Sequence, residues 1–473
     1  MSKNFWPENN FSNTSEPIHT FLADLSELPQ PDEFDEPYPG YEGRRRKAAL
    51  ALALIWSGTI ALHLLSGGYW LVVGVTTLMG VHTLRVLLAQ RSTVPIPMSD
   101  DTPEAEWPYV SLLVAAKNES AVIASSIRTL CNLDYPTSRY EVWIIDDGST
   151  DQTPALLKEL TQQYKQLQVL YRLPGAGGGK SGALNEVLPL SKGEIVGVFD
   201  ADAQVPQDLL RRVLPLFQRQ QVGAVQVRKA IANAATNFWT RGQMAEMAFD
   251  SFIQQQRVAF GGLGELRGNG QFVRRSALEG CGGWNEQTIT DDLDLTLRLH
   301  LDQWDIDFLA SPAVEEEGVT RALALWHQRN RWAEGGYQRY LDYWRLIVRN
   351  RLGTRKTVDL VMFWIMQYLL PTAALPDFVM AIARNRPPVL LPITNLTVSI
   401  SLVGMLLGLK RFRTKPATIP LLTLLQVLRG TLYMFHWLPV IASTTVRISL
   451  RPKRLKWVKT MHQGTDDWLD VPE

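Results

Sequence analysis

The rhythm of apolar positions changes three times along the chain. From Ala48 to Leu84 there are 37 residues without a formal charge, interrupted only by Ser66-Gly67-Gly68. A hydrocarbon core about 30 Å thick takes roughly 20 apolar residues per helix, so this run predicts a hairpin of two membrane-spanning helices. Arg85 stands near the second exit, where a long basic side chain snorkels to the interface.

Between residues 92 and 356 short apolar runs alternate with amphipathic stretches. The runs at 109–116, 141–145, 167–171 and 194–199 read as strands. Those at 121–131, 154–164, 182–188 and 209–218 read as the helices between them. Such alternation predicts parallel βαβ units and an open α/β sheet, with ligand chemistry at the carboxyl ends of the strands. Beyond residue 356 the pattern turns apolar again. The segment 360–382 is interrupted only by Asp377, and 389–409 runs 21 residues without a charge, so each is long enough to span. Arg429 interrupts 417–446, which is too long for one upright span and short for two; a re-entrant or tight hairpin is expected there.

Charge refines this picture. Residues 1–43 hold nine acidic residues, six Pro and one Lys, with little apolar periodicity, and predict a disordered acidic tail. Basic residues cluster at Arg44-Arg45-Arg46-Lys47, at Lys410, Arg411, Arg413 and Lys415, and from Arg447 to Lys459. Positive charge stays cytosolic, so the soluble-type segment is expected in the cytosol of a multi-pass membrane protein. The expected division is a tail 1–43, a transmembrane hairpin 44–91, a cytosolic domain 92–356, transmembrane and re-entrant helices 357–450, and a cytosolic tail 451–473. With 48 Lys+Arg against 47 Asp+Glu, the net charge of +1 offers no field for nucleic acid. Two cysteines, Cys131 and Cys281, supply neither a disulfide framework nor a four-ligand zinc site.

Carboxylates at strand ends carry the candidate chemistry. The run 141–145 leads into Asp146-Asp147-Gly148-Ser149-Thr150-Asp151, and 194–199 into Asp200-Ala201-Asp202. A further pair, Asp291-Asp292, opens a helical pattern over 293–299. Carboxylates converging from adjacent strand ends repel and raise each other's pKa, so a hard divalent cation is their natural partner. Gly179-Lys180-Ser181 ends like a phosphate loop, but Pro174 stands where that loop needs glycine. The stretch 175–180 still offers backbone amides and one cation to a phosphate.

Taken in order, Ala116-Lys117-Asn118-Glu119, Asp146 to Asp151, Gly179-Lys180-Ser181-Gly182-Ala183-Leu184-Asn185, Asp200-Ala201-Asp202, Thr290-Asp291-Asp292 and Gln328-Arg329-Asn330-Arg331-Trp332 resemble the family 2 inverting glycosyltransferases. The resemblance covers about residues 108–340 and extends to the flanking membrane helices. It implies a GT-A fold, an open and mostly parallel sheet, with a nucleotide-sugar donor and Mg²⁺ or Mn²⁺. Carried over by position, it implies that Asn118, Glu119, Asp146 and Asp147 surround the uridine, Lys180 reaches the nucleotide or its phosphates, and Asp200 lies on the ribose side. Asp202 becomes the metal ligand and Asp292 the general base. Gln328, Arg331 and Trp332 line the acceptor and diphosphate end, Trp332 offering a flat apolar face. Asp291 stands where the family commonly has Glu.

Three longer stretches, 226–233, 264–272 and 325–337, are similar to those of the family's glycolipid-forming members from cyanobacteria. They imply transfer of glucose from UDP-glucose to diacylglycerol in a thylakoid or plasma membrane. The alternative within the family is a processive polysaccharide synthase. Its gating Phe-x-Val-Thr-x-Lys segment has only an echo in Phe412-Arg413-Thr414-Lys415, without the Val-Thr pair. None of the quoted motifs names a residue that reads the C4 hydroxyl separating glucose from galactose.

Overall fold

The computed structural model describes residues 43–90, 94–412 and 420–450. The expected disordered tail, the echo at 412–415 beyond Phe412, and the tail 451–473 lie outside the described residues. Two helices, α1 (Arg44–Leu64) and α2 (Gly68–Leu87), come first. A Cβ on Gly68 would fall 1.9 Å from the Leu62 carbonyl oxygen, so glycine alone lets α2 start this close to the last turn of α1.

The chain then builds β1 (Val110–Ala116), α3 (Ile123–Cys131), β2 (Tyr140–Asp146), α4 (Thr153–Gln163), β3 (Leu167–Tyr171), α5 (Gly179–Val187) and β4 (Ile195–Phe199). β1 pairs in parallel with β2 and with β4, and β2 with β3. The period of two shows in β1, whose Leu112 and Val114 enter one core while Leu113 enters the other. Helices thus cover both faces, which is why these strands read as continuous apolar runs.

The second half of the sheet follows a less visible pattern. After α6 (Leu209–Val213) come β5 (Val222–Ile231), α7 (Phe238–Phe260), β6 (Gln271–Arg274), α8 (Arg275–Gly280), α9 (Asp291–Leu301), β7 (Asp305–Glu316) and α10 (Ala322–Val348). Strand order across the seven-stranded sheet is β3-β2-β1-β4-β6-β5-β7. β6 runs antiparallel to both neighbours, and β5 pairs in parallel with β7. Asn237 starts α7 with a capping box: its Oδ1 accepts from the backbone N–H groups of Trp239 and Thr240 at 2.9 and 3.1 Å, while Thr240 Oγ1 accepts from the Asn237 N–H.

Helix α11 (Thr354–Trp364) continues through a π turn, Ile365–Leu369, into α12 (Leu370–Ala383). Pro371 supplies no N–H to the preceding turn, and the wider winding sits where that bond is missing. Helix α13 (Leu391–Arg411) follows, and the segment expected as a re-entrant or tight hairpin forms two helices, α14 (Pro420–Met434) and α15 (Trp437–Leu450). At 15 and 14 residues each is about 20 Å long, short of a hydrocarbon core. Among the described residues four helices are long and apolar enough to cross a membrane: α1, α2, the continuous Thr354–Ala383 and α13.

Charged clamps tie these helices to the sheet-bearing part. Arg44 at the head of α1 pairs with Asp342 of α10 and donates to the Gln287 carbonyl at 2.9 Å. Arg257 of α7 donates to Asp359 of α11 at 2.8 Å, and His82 of α2 lies 3.4 Å from the same carboxylate.

Candidate active site

At the end of β1 the chain turns through Asn118, a non-glycine residue with φ of 56°. Its N–H donates to Ser149 Oγ at 2.8 Å, and its Oδ1 accepts from the Thr150 N–H at 2.7 Å. The Glu119 N–H donates to Thr153 Oγ1, and the Ser120 N–H to Asp151 Oδ2. Burial pulls the Asp151 carboxyl up, but hydrogen bonds from Thr153 and Ser120 onto its ionised form hold it down at about 2. Asp146 is buried and accepts from the Ser149 N–H at 3.0 Å, closing the turn from within. Gly148, at φ of 68°, lets this turn pass Pro174: a Cβ there would lie 3.0 Å from the Pro174 Cα. Asp147 comes out at the tip and is held by Arg172 at 2.5 Å and Lys117 at 3.3 Å. Asn118, Glu119, Asp146 and Asp147 therefore meet at the β1 and β2 ends, with Arg172 as a partner that sequence reading missed.

A second group assembles at the end of β4. Lys180 Nζ lies 2.6 Å from Asp200 Oδ1, and the Asp200 N–H donates to Asn269 Oδ1 at 3.3 Å. Asp202 Oδ2 accepts from the Glu317 N–H at 2.9 Å, which fastens the DxD turn to the end of β7. The Lys180 and Asp200 side chains keep 25% and 42% of their surface accessible, yet desolvation is the largest influence on Lys180. Both side chains are therefore reachable from solvent. Burial alone would depress Lys180, but Asp200, Asp291 and Asp292 around it hold it above the ordinary range.

Asp292 stands in the first turn of α9, its Oδ1 accepting from the Leu293 N–H at 2.8 Å. Burial and then the neighbouring Asp291 carboxylate push its pKa up to about 6, opposed by the Leu293 N–H, Lys180 and Lys229. Arg331 of α10 faces Asp200, Asp291 and Asp292, and burial lowers its pKa from the ordinary value while those carboxylates oppose the shift. Gln328 lies on the same helix, with a buried Oε1 that has no hydrogen-bond partner among the described residues. Lys180, Asp200, Asp292 and Arg331 are thus brought together, with both cations acting on the same carboxylates.

Trp332 departs from expectation. It is flanked by cations, with the Arg329 guanidinium 4.0 Å and the Lys229 ammonium 5.5 Å from the ring centroid. The negative π face of indole attracts such charges, so the open apolar face expected from sequence is partly taken. Lys229 is also paired with Glu316 at 3.2 Å, and Asn269 Nδ2 donates to Glu316 at 3.4 Å. Lys229 and Asn269 lie in the stretches 226–233 and 264–272 that sequence reading set apart without giving them roles. Glu316 and Glu317 had no signal, because β7 was not read.

The donor set fits a hard divalent ion in kind. The site supplies carboxylate oxygen from Asp202, with Asp200 two residues before, and Mg²⁺ is typically held by one or two carboxylates plus substrate phosphates. Among the described residues no group of three or more His, Cys, Asp or Glu could hold a metal alone. A cation here would take the rest of its shell from water or substrate oxygen.

Comparison with known proteins bears on this geometry. The family model described as "Glycosyltransferase like family 2" matches residues 108–335. The chain is 60% identical over 473 residues to a protein of Nostoc sp. named "Beta-monoglucosyldiacylglycerol synthase", covering 99% of this chain and 100% of that one. A protein of the same name from Synechocystis sp. is 55% identical over 465 residues, covering 97% of each chain. Among solved structures, the mannosyltransferase from Pyrobaculum calidifontis in complex with GDP-Man and Mn2+ superposes with a TM-score of 0.50 at 20% identity, covering 84% of this chain and 98% of that one. At that identity the likeness establishes the fold, a GT-A-type sheet with apolar helices at both ends.

Proposed function

The chain belongs to the glycosyltransferase-like family 2, and with that membership as premise we propose that it is a multi-pass membrane enzyme transferring glucose from UDP-glucose to 1,2-diacylglycerol, giving β-monoglucosyldiacylglycerol. The observation that carries this reading is likeness over the full length, membrane helices included, to proteins named for that product. A match confined to the catalytic motifs would support sugar transfer without an acceptor.

The site supports an inverting displacement. Asp147 with its Arg172 and Lys117 partners forms the uridine end, and Lys180 and Asp200 the ribose and phosphate side. A divalent cation held at Asp202 would neutralise charge building on the departing diphosphate. Arg331 adds a fixed positive charge for the same oxygens. Asp292 takes the proton of the acceptor hydroxyl as that oxygen attacks the anomeric carbon. Its raised pKa matches a general base working near neutral pH. The catalytic site faces the cytosol, and the four long apolar helices anchor it.

The test incubates detergent-solubilised protein with labelled UDP-glucose or UDP-galactose and diacylglycerol, and separates the lipids by thin-layer chromatography. One glucose per lipid is expected, with acyl chains intact. A water-soluble or long-chain glucan formed without added lipid would overturn this reading in favour of the polysaccharide synthase.

A further inference from the structure

Beside the motif Gln328 to Trp332, Arg329 is fully buried, with an accessibility of 0%. Its Nη2 donates to Glu246 of α7 at 2.5 Å and to the Tyr433 hydroxyl of α14 at 3.0 Å. Trp437, the first residue of α15, donates Nε1–H to the other Glu246 oxygen at 2.6 Å. The guanidinium lies over the Trp332 ring at 4.0 Å and 5.4 Å from that of Trp437. The turn between the two short helices is therefore seated on the acceptor motif itself. Nε and Nη1 of Arg329 have no hydrogen-bond partner among the described residues. Donors on a buried charged group are expensive to leave unmade, and a protein keeps them where a ligand brings acceptors.

The chemistry of the surroundings narrows that ligand. Glu246 already balances Arg329, and Glu316 already balances Lys229 on the other side of Trp332. The wall thus offers N–H donors without net positive charge, which suits uncharged carbonyl oxygens better than a phosphate. Lys229 links this wall to the catalytic site, because it is among the charges acting on Asp292. A diacylglycerol has acceptor-only ester carbonyls close to its free hydroxyl.

We propose that Arg329, held by Glu246 and the α14–α15 turn, is an acceptor-binding residue that donates from Nε and Nη1 to the ester carbonyls of the lipid while its hydroxyl approaches Asp292. The assignment rests on the diacylglycerol reading and makes that acceptor's ester groups, beyond its hydroxyl, part of what is recognised.

The experiment compares 1,2-diacylglycerol with its dialkyl ether analogue, which keeps the hydroxyl and chains but lacks the carbonyls. Wild-type protein is expected to use the diester with a kcat/KM about tenfold or more above the diether, the scale of hydrogen bonds to a charged donor. Arg329→Lys keeps the charge beside Glu246 but loses the guanidinium fork. It is expected to erase most of that preference, through KM for the diester, with UDP affinity unchanged. An equal loss on both lipids in the variant would make Arg329 a structural residue and overturn the proposal. So would a wild type that uses both lipids alike, a result that needs no variant to fold. Glucose transfer to neither lipid, with donor hydrolysis intact, would instead sink the diacylglycerol reading.

Discussion

In the proposed role of general base Asp292 has to be ionised, yet its surroundings resist ionisation. Burial and Asp291 raise its pKa to about 6, so turnover should fall as pH drops through that value, because the base is then protonated. Stability runs the other way. A carboxyl raised above its unfolded value favours the folded state fully below the unfolded pKa, and that contribution is lost as pH rises through about 6. A pH–rate profile of the purified enzyme checks the first statement. Asp292→Asn should lower turnover roughly 10²–10⁴-fold with UDP affinity nearly unchanged, the signature of a lost base; a parallel collapse of UDP binding, read by calorimetry, would move Asp292 to the donor side. Asp202→Asn, which keeps an oxygen for the Glu317 N–H but removes the charge, should abolish transfer and metal-dependent UDP binding while leaving the thermal unfolding midpoint close to wild type. Retention of most activity after chelation would remove the metal from the mechanism.

At the scale of elements, the turn after β2 determines where Asp147 points. Gly148→Ala places a Cβ 3.0 Å from the Pro174 backbone at a left-handed φ of 68°. A loss of about 1–2 kcal/mol is expected from the conformation alone, with weaker UDP binding as Asp147 shifts; thermal unfolding and a binding isotherm measure the two. Legibility in the sequence divides along the same elements. β1 to β4 are near-continuous apolar runs because helices bury both faces, and Asp147, Asp200 and Asp202 stood out by following those runs. β6 has only four residues, and β7 carries Asp305, Asp307, Pro312, Glu315 and Glu316 within twelve, so neither announces a strand. Lys229 and Glu316 meet because β5 pairs with β7, and Asn269 joins them because β6 inserts antiparallel between β4 and β5, a crossing order that no local pattern encodes. Arg172 was missed for a related reason: it is one residue past β3, and its partner Asp147 is brought near by pairing of β2 with β3.

At the scale of the whole molecule, long apolar helices and sheet are joined through buried polar contacts. The long helices themselves were legible from uninterrupted apolar length. The clamps were not, since Asp342, Asp359 and Arg44 read as ordinary charges on amphipathic stretches or span ends. Their placement bears on portability. Gln287, whose carbonyl accepts from Arg44, lies four residues before Asp291, so the support of the catalytic loop is partly supplied from α1. A fragment spanning 92–356 would lose Arg44 and Asp359 and leave Asp342 and Arg257 without those partners. Its expected behaviour is aggregation, or a soluble form that binds UDP weakly and transfers nothing, as size-exclusion chromatography and a radiolabel assay would show. Exchange of membrane anchors between relatives should fail for the same reason unless the arginine at the head of the first helix travels with its aspartate. The two parts can be inherited together, but they cannot be traded separately.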